Sequence, residues 1–220
     1  MSITAAVLDV DGTVATCPYD FDAMRAAVAR VAARHSIDAT SLGVRGIIEQ
    51  IDLVADRLGD DAETFREEAD AAVKAIEVTA ARGASLLPGA QETLAELQRS
   101  GLAVALITRN CREAAEIVLR DCNGCHSVLL TRDDVPLAKP HPDHVFRAIA
   151  ALGRVPNQTV VVGDHDYDMQ AGRAAGVRLS VAVRTGNRPD EALRAAGADD
   201  IIDTLADLPG WLRARGELPT

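Results

Sequence analysis

The chain has 220 residues, with 23 basic against 33 acidic side chains and a formal charge of −10, a field that disfavours nucleic acid or any other polyanionic partner. Only six residues are aromatic, so no base-stacking platform is available. Hydrophobic residues at 48% and charged residues at 25% exclude wholesale disorder, and 39 alanines call for a core of Ala, Val, Leu and Ile with closely packed helices. No charge-free run approaches the roughly 18 to 20 residues of a membrane span, so no membrane partner is expected. Met1 to Leu8 runs into Asp9 without a basic leader and reads as no signal peptide, which makes cytoplasm the expected location.

In chain order, the first strand is expected within Ile3 to Val10. Residues 16–85 then read as helical throughout, with helices over Phe21 to Arg34, about Val44 to Leu58, and Ala62 to Arg82. Further on, short runs rich in β-branched residues alternate with helical patterns. The expected strands are Leu102 to Thr108, Val128 to Thr131, Thr159 to Gly163 and Leu179 to Val183. The expected helices are Gly89 to Arg99, Arg112 to Arg120, Pro142 to Leu152, Asp166 to Ala175, Pro189 to Ala196 and Thr204 to Arg213. That alternation implies βαβ units and an α/β fold with a doubly wound parallel sheet. The expected division is a core of 1–15 and 86–220 with an all-helical cap of 16–85, joined by two linkers that would let the cap move as a lid.

Chemistry gathers where the strands end. Asp9-Val10-Asp11-Gly12-Thr13 sets two carboxylates two residues apart at the end of the first strand, where both can point into the crevice of an open parallel sheet. One carboxylate suits a nucleophile toward phosphorus and the other a proton shuttle. Thr108, followed by Arg109 and Asn110, puts a hydroxyl beside the free N–H groups of an opening helix, a natural phosphate site. The chain holds 21 Arg and only two Lys. One of these, Lys139, sits in the proline-stiffened Lys139-Pro140-His141-Pro142 loop, where its charge can screen a carboxylate from a phosphate. Gly163-Asp164-His165-Asp166-Tyr167-Asp168 closes a further strand with three acids, and hard cations such as Mg²⁺ favour such oxygens.

Taken together, these four sets resemble the motifs of the haloacid dehalogenase superfamily of aspartate-nucleophile phosphohydrolases, with a small helical cap of the phosphoglycolate-phosphatase-like type. The resemblance covers essentially the whole chain and implies a Rossmann-like core. It implies that Asp9 is the nucleophile and a Mg²⁺ ligand. Asp11 would be the general acid and base and give its backbone carbonyl to the metal. Thr108, with Arg109 and Asn110, would bind the transferring phosphate, while Lys139 holds nucleophile and phosphate together. Asp164 would ligate Mg²⁺, and Asp168 would be the second acid, orienting the metal's waters or Lys139. The implied activity is a Mg²⁺-dependent phosphatase acting on a small phosphorylated metabolite, as a monomer or homodimer. The presence of Asp11 argues against dehalogenation. A phosphomutase of the same superfamily, and a non-catalytic phosphate-binding or regulatory module, are the alternatives.

Two weaker features complete the reading. Cys122 and Cys125 have a metal-like spacing without a second pair, so reduced thiols near a turn are expected. Arg25, Arg45, Arg57 and Arg66 in the cap read as solvated or ion-paired.

Overall fold

Apolar runs that stop at a polar residue become strands, and the computed structural model describes residues 2–43, 46–122 and 124–218. The first run forms β1 (Ala5–Asp9), buried along its whole length. A turn follows at Gly12, whose φ of +87° lies in the left-handed region that a side chain resists. The two-residue strand β2 (Ala15–Thr16) comes next, and three helices succeed it: α1 (Phe21–Arg34), α2 (Ile47–Ala55) and α3 (Ala62–Ala81). β3 (Ser85–Leu86) then pairs antiparallel with β2. The expectation of helix throughout 16–85 does not foresee this ribbon, because two residues display no period.

The remaining elements alternate: α4 (Ala90–Arg99), β4 (Ala103–Ile107), α5 (Arg112–Val118), β5 (Val128–Leu130), α6 (Asp143–Ala151), β6 (Thr159–Gly163), α7 (Asp166–Ala175), β7 (Leu179–Val183), α8 (Asp190–Ala196), β8 (Asp200–Ile202) and α9 (Leu208–Ala214). Six strands form one sheet in the order β5-β4-β1-β6-β7-β8, parallel at every pairing. The chain builds outward from β1 through β4 to β5, then returns to the other side of β1 for β6, β7 and β8. The order therefore reverses at β1, and the crevice beyond its carboxyl end is where open α/β sheets bind ligands.

Both faces of the sheet are covered. Val7, Ala105, Ile107 and Val161 pack against Val145, Ala148 and Ile149 of α6 and Ala171 and Ala175 of α7. The alternate residues Ala6, Leu8, Val104, Leu106, Val160 and Val162 are buried as well. Strands buried on both sides must be apolar without alternation, which is how these runs read.

Contacts divide the chain into two units. One combines Met1–Cys17 with Ala84–Thr220 and holds the six-stranded sheet; the other is Pro18–Gly83. The second unit has a core of its own, with Met24, Val28 and Val31 of α1, Ile51 and Val54 of α2, and Phe65, Ala69 and Val73 of α3 packed together. Its surface is laced by ion pairs: Arg25 with Asp22 at 2.5 Å, Arg34 with Glu68 at 2.6 Å, and Arg66 with Asp52. Arg45 and the expected helix start at Val44 lie outside the described residues. No described helix is long and apolar enough to cross a membrane.

One expectation is corrected. Cys122 and Cys125 are joined in a disulfide rather than held as reduced thiols. The turn after α5, closed by the Cys122 N–H donating to the Leu119 carbonyl, brings their Cα atoms to 5.7 Å, within bridging range. A single pair of this spacing therefore closes on itself and leaves no thiolates for a metal.

Candidate active site

All the expected site residues lie in the unit that holds the sheet. Asp9 is the last residue of β1 and is 6% exposed. Lys139, itself 3% exposed, donates from Nζ to Asp9 Oδ1 and to Asp168 Oδ1, at 2.5 Å each. A buried ammonium between two carboxylates is held charged. Although burial works against it, Asp168 and Asp9 raise Lys139 far above its ordinary value.

Asp168 owes its place to the start of α7. It is the third residue of the helix and accepts the His165 N–H at 3.1 Å, forming a capping box, while its other oxygen faces Lys139. Gly163 makes this approach possible, because a Cβ there would overlap the Asp168 carboxyl. Asp164 follows β6 and lies against two backbones. A Cβ on Gly12 or on Gly186 would overlap its carboxylate. The Thr185 hydroxyl donates to the Gly12 carbonyl, tying the loop after β7 to the turn after β1.

Carboxylate oxygens of Asp9, Asp164 and Asp168 lie within 4.8 Å of one another. Burial pushes Asp9 well above the usual carboxylate range. Lys139 opposes this, and Asp168, Asp164 and Asp11 add to it. Burial and Asp168 push Asp164 up to about 7. Three crowded acids facing one ammonium leave the set short of positive charge, and oxygen donors of this kind suit a hard divalent cation. The residues present therefore fit a metal.

Asp11 lies two residues beyond the end of β1, past a bend at Val10, and its charge adds to those pushing Asp9 and Asp164 up. Asp11 Oδ2 accepts from the Thr108 hydroxyl at 2.9 Å and from Asn110 Nδ2 at 2.6 Å. The Asn110 N–H in turn donates to Thr108 Oγ1 at 3.1 Å. Two groups thus meet at the end of the sheet: Asp9, Asp164, Asp168 and Lys139 on one hand, Asp11, Thr108 and Asn110 on the other. The Arg109 guanidinium stacks on the Tyr167 ring, 4.7 Å from the centroid. Near it, Arg188 pairs with Asp166 at 2.9 Å and donates to His165 Nε2 at 2.5 Å.

Sequence reasoning passes over three contributors. Thr185 and Gly186 follow the strand Leu179–Val183, so the strand-end rule that found the other residues also applied to them. His144, wholly buried in α6, shares a helical face with Val145, Ala148 and Ile149. That spacing marked it as an inward-facing polar residue.

A family model described as "Hydrolase: haloacid dehalogenase-like hydrolase" matches residues 3–176. A protein named "Phosphoglycolate phosphatase, plasmid" from Cupriavidus necator is 30% identical over 223 residues, covering 95% of this chain and 93% of that one. The "Pyrophosphatase PpaX" of Bacillus mycoides is 32% identical over 119 residues, 53% of this chain, and the match spans only 55% of that relative's own length. Among solved structures, a hydrolase from Pseudomonas syringae superposes with a TM-score of 0.69 at 24% identity, covering 96% of this chain and 98% of its own.

Proposed function

The chain belongs to the haloacid dehalogenase-like hydrolase family, and from that premise we propose that it is a Mg²⁺-dependent phosphatase that frees phosphate from a small phosphorylated metabolite through an aspartyl phosphate on Asp9. The observation that carries this reading is the buried Lys139 bridging Asp9 and Asp168, with Asp164 alongside. Such a cluster is costly for a fold that puts it to no use, because each buried carboxylate must be matched.

In this reading an Asp9 carboxylate oxygen attacks phosphorus. Lys139 works against the burial that disfavours the ionised carboxylate and draws the phosphate toward it, while Asp168 fixes the lysine. Asp11 protonates the departing oxygen in the first step and takes a proton from the attacking water in the second. The Thr108 hydroxyl and Asn110 amide hold Asp11 through Oδ2, which aims the carboxyl. Asp9, Asp164 and the Asp11 backbone carbonyl would hold Mg²⁺, with Asp168 orienting the waters around it, and the ion would neutralise charge on the transferring group. The names of the phosphoglycolate phosphatase and pyrophosphatase relatives support a small phosphorylated substrate.

The test is phosphate release across a panel of phosphorylated metabolites, with Mg²⁺ and with excess chelator, for wild type and for Asp9→Asn. Turnover should vanish in chelator and return with Mg²⁺, and the variant should stay folded, inactive and unlabelled by substrate phosphate. Turnover by Asp9→Asn would make water the attacking group.

A further inference from the structure

Lys139 reaches Asp9 from a loop, so its aim depends on whatever holds that loop. The chain passes through a cis Lys139–Pro140 peptide and enters α6 at Asp143. His144, the next residue, is wholly buried and uses both ring nitrogens. Its Nδ1 accepts the backbone N–H of Lys139 at 3.4 Å, and its Nε2 lies 3.2 Å from the Leu130 carbonyl oxygen. A carbonyl can only accept, so Nε2 carries the proton and Nδ1 presents a lone pair. The ring must therefore be neutral. Burial first, and the Lys139 charge second, push its pKa down to about 4, in keeping with that form. The same Leu130 carbonyl accepts the Thr108 N–H at 3.0 Å. One oxygen at the end of β5 thus anchors both Thr108 and, through His144, the lysine loop.

We propose that His144 is the positioning residue for Lys139, a neutral imidazole strut that fixes the lysine backbone against the end of β5 so that Nζ falls between Asp9 and Asp168. Its kinetic consequence rests on the phosphatase reading above; the strut itself is independent of it. A histidine that merely filled space would leave Lys139 indifferent to which of its two hydrogen bonds is kept.

Two isosteric variants separate those cases in the full chain. His144→Asn keeps an acceptor where Nδ1 stood, facing Lys139. His144→Gln keeps a donor where Nε2 stood, facing Leu130. His144→Ala keeps neither. The chain has two lysines, an exposed Lys74 and the buried Lys139, so reductive methylation mapped by mass spectrometry reads Lys139 against a built-in reference. In His144→Ala, Lys139 should label about ten-fold faster relative to Lys74, as its segment opens more readily. Its kcat should fall about 10- to 100-fold with KM within about two-fold, the usual effect of a misaimed group. His144→Asn should restore both protection and kcat, whereas His144→Gln should restore neither. If Asn and Gln behave alike, or if Ala leaves labelling and kcat at wild-type values, the proposal is wrong. Should Ala not fold, the Asn–Gln comparison decides alone. If wild type releases no phosphate from any metabolite, the phosphatase reading falls, while the labelling order still decides the role of His144.

Discussion

Asp11 and His144 show how much a single hydrogen bond can specify. Because Thr108 and Asn110 both donate to one Asp11 oxygen, Asp11→Asn can keep that pair through its amide oxygen and should fold normally. With p-nitrophenyl phosphate, whose leaving group needs little protonation, the variant should give a burst of nitrophenol near one per site and then slow turnover. The slow phase should sit about 10²- to 10⁴-fold below wild type, the usual worth of general acid–base help. Equal loss on alkyl and nitrophenyl substrates with no burst would remove Asp11 from the second step. His144 makes a prediction about acid. Its pKa falls to about 4 in the folded chain from an ordinary 6.5, with burial and Lys139 outweighing the Leu130 carbonyl, Asp134 and Asp143. Between those two values the unfolded chain binds the extra proton, so stability is lost as pH drops from 6.5 toward 4 and is complete above that window. The contribution is at most about 3 kcal/mol. In denaturant melts of wild type and His144→Asn across that range, the stability difference between the two should shrink toward acid, because the raised Asp164 and Asp9 carboxyls titrate alike in both and cancel in the difference. Residues at strand ends were legible because a parallel sheet exposes only those positions to a ligand. The anchoring of Asp11 by Thr108 and Asn110 was not, since it depends on how the turn after β1 meets the end of β4.

At the scale of elements, the best-read segments are those with hard stops. β6, β7, α1 and α7 agree with the sequence to the residue, because Gly163, Gly176 or a change from apolar to polar residues closes each one. The β2–β3 ribbon escaped for want of length, and the Cys122–Cys125 bridge escaped because spacing alone does not distinguish a disulfide from free thiols. Gly186 is the sharper case, since its role depends on the approach of Asp164 from the end of the preceding strand, β6. Gly186→Ala would drive a methyl group into the Asp164 carboxylate, at a position where φ is not of the left-handed kind. The backbone itself tolerates alanine, so the chain should fold with a midpoint close to wild type. The displaced Asp164 should instead weaken Mg²⁺ affinity by about 10- to 100-fold, as disturbing a ligand's support commonly does. Calorimetric titration with Mg²⁺ checks this, and unchanged affinity would separate Asp164 from metal binding.

On the scale of the whole molecule, a charge of −10 and a crowded acidic cluster mean that the divalent cation proposed above should stabilise the fold as well as serve the reaction. At about 100 times its dissociation constant, Mg²⁺ should add about 2.7 kcal/mol to the unit that binds it. For a chain of this size that corresponds to a rise in the thermal midpoint of about 5 to 10 °C. Sodium chloride at matched ionic strength should not reproduce it, and an equal shift with both salts would reduce the effect to general screening. The sheet order carries a further consequence, for biosynthesis. Ala5 of β1 pairs with Ala103 on one side and Thr159 on the other. At about 5 to 20 residues per second, the ribosome delivers the second partner roughly 8 to 30 seconds after the first strand. Throughout that interval the strand Ala5–Asp9 has at least one bare edge, while Pro18–Gly83 gains its full complement of packing partners about halfway through it. The nascent chain therefore offers chaperones the same few apolar residues that later seat Asp9.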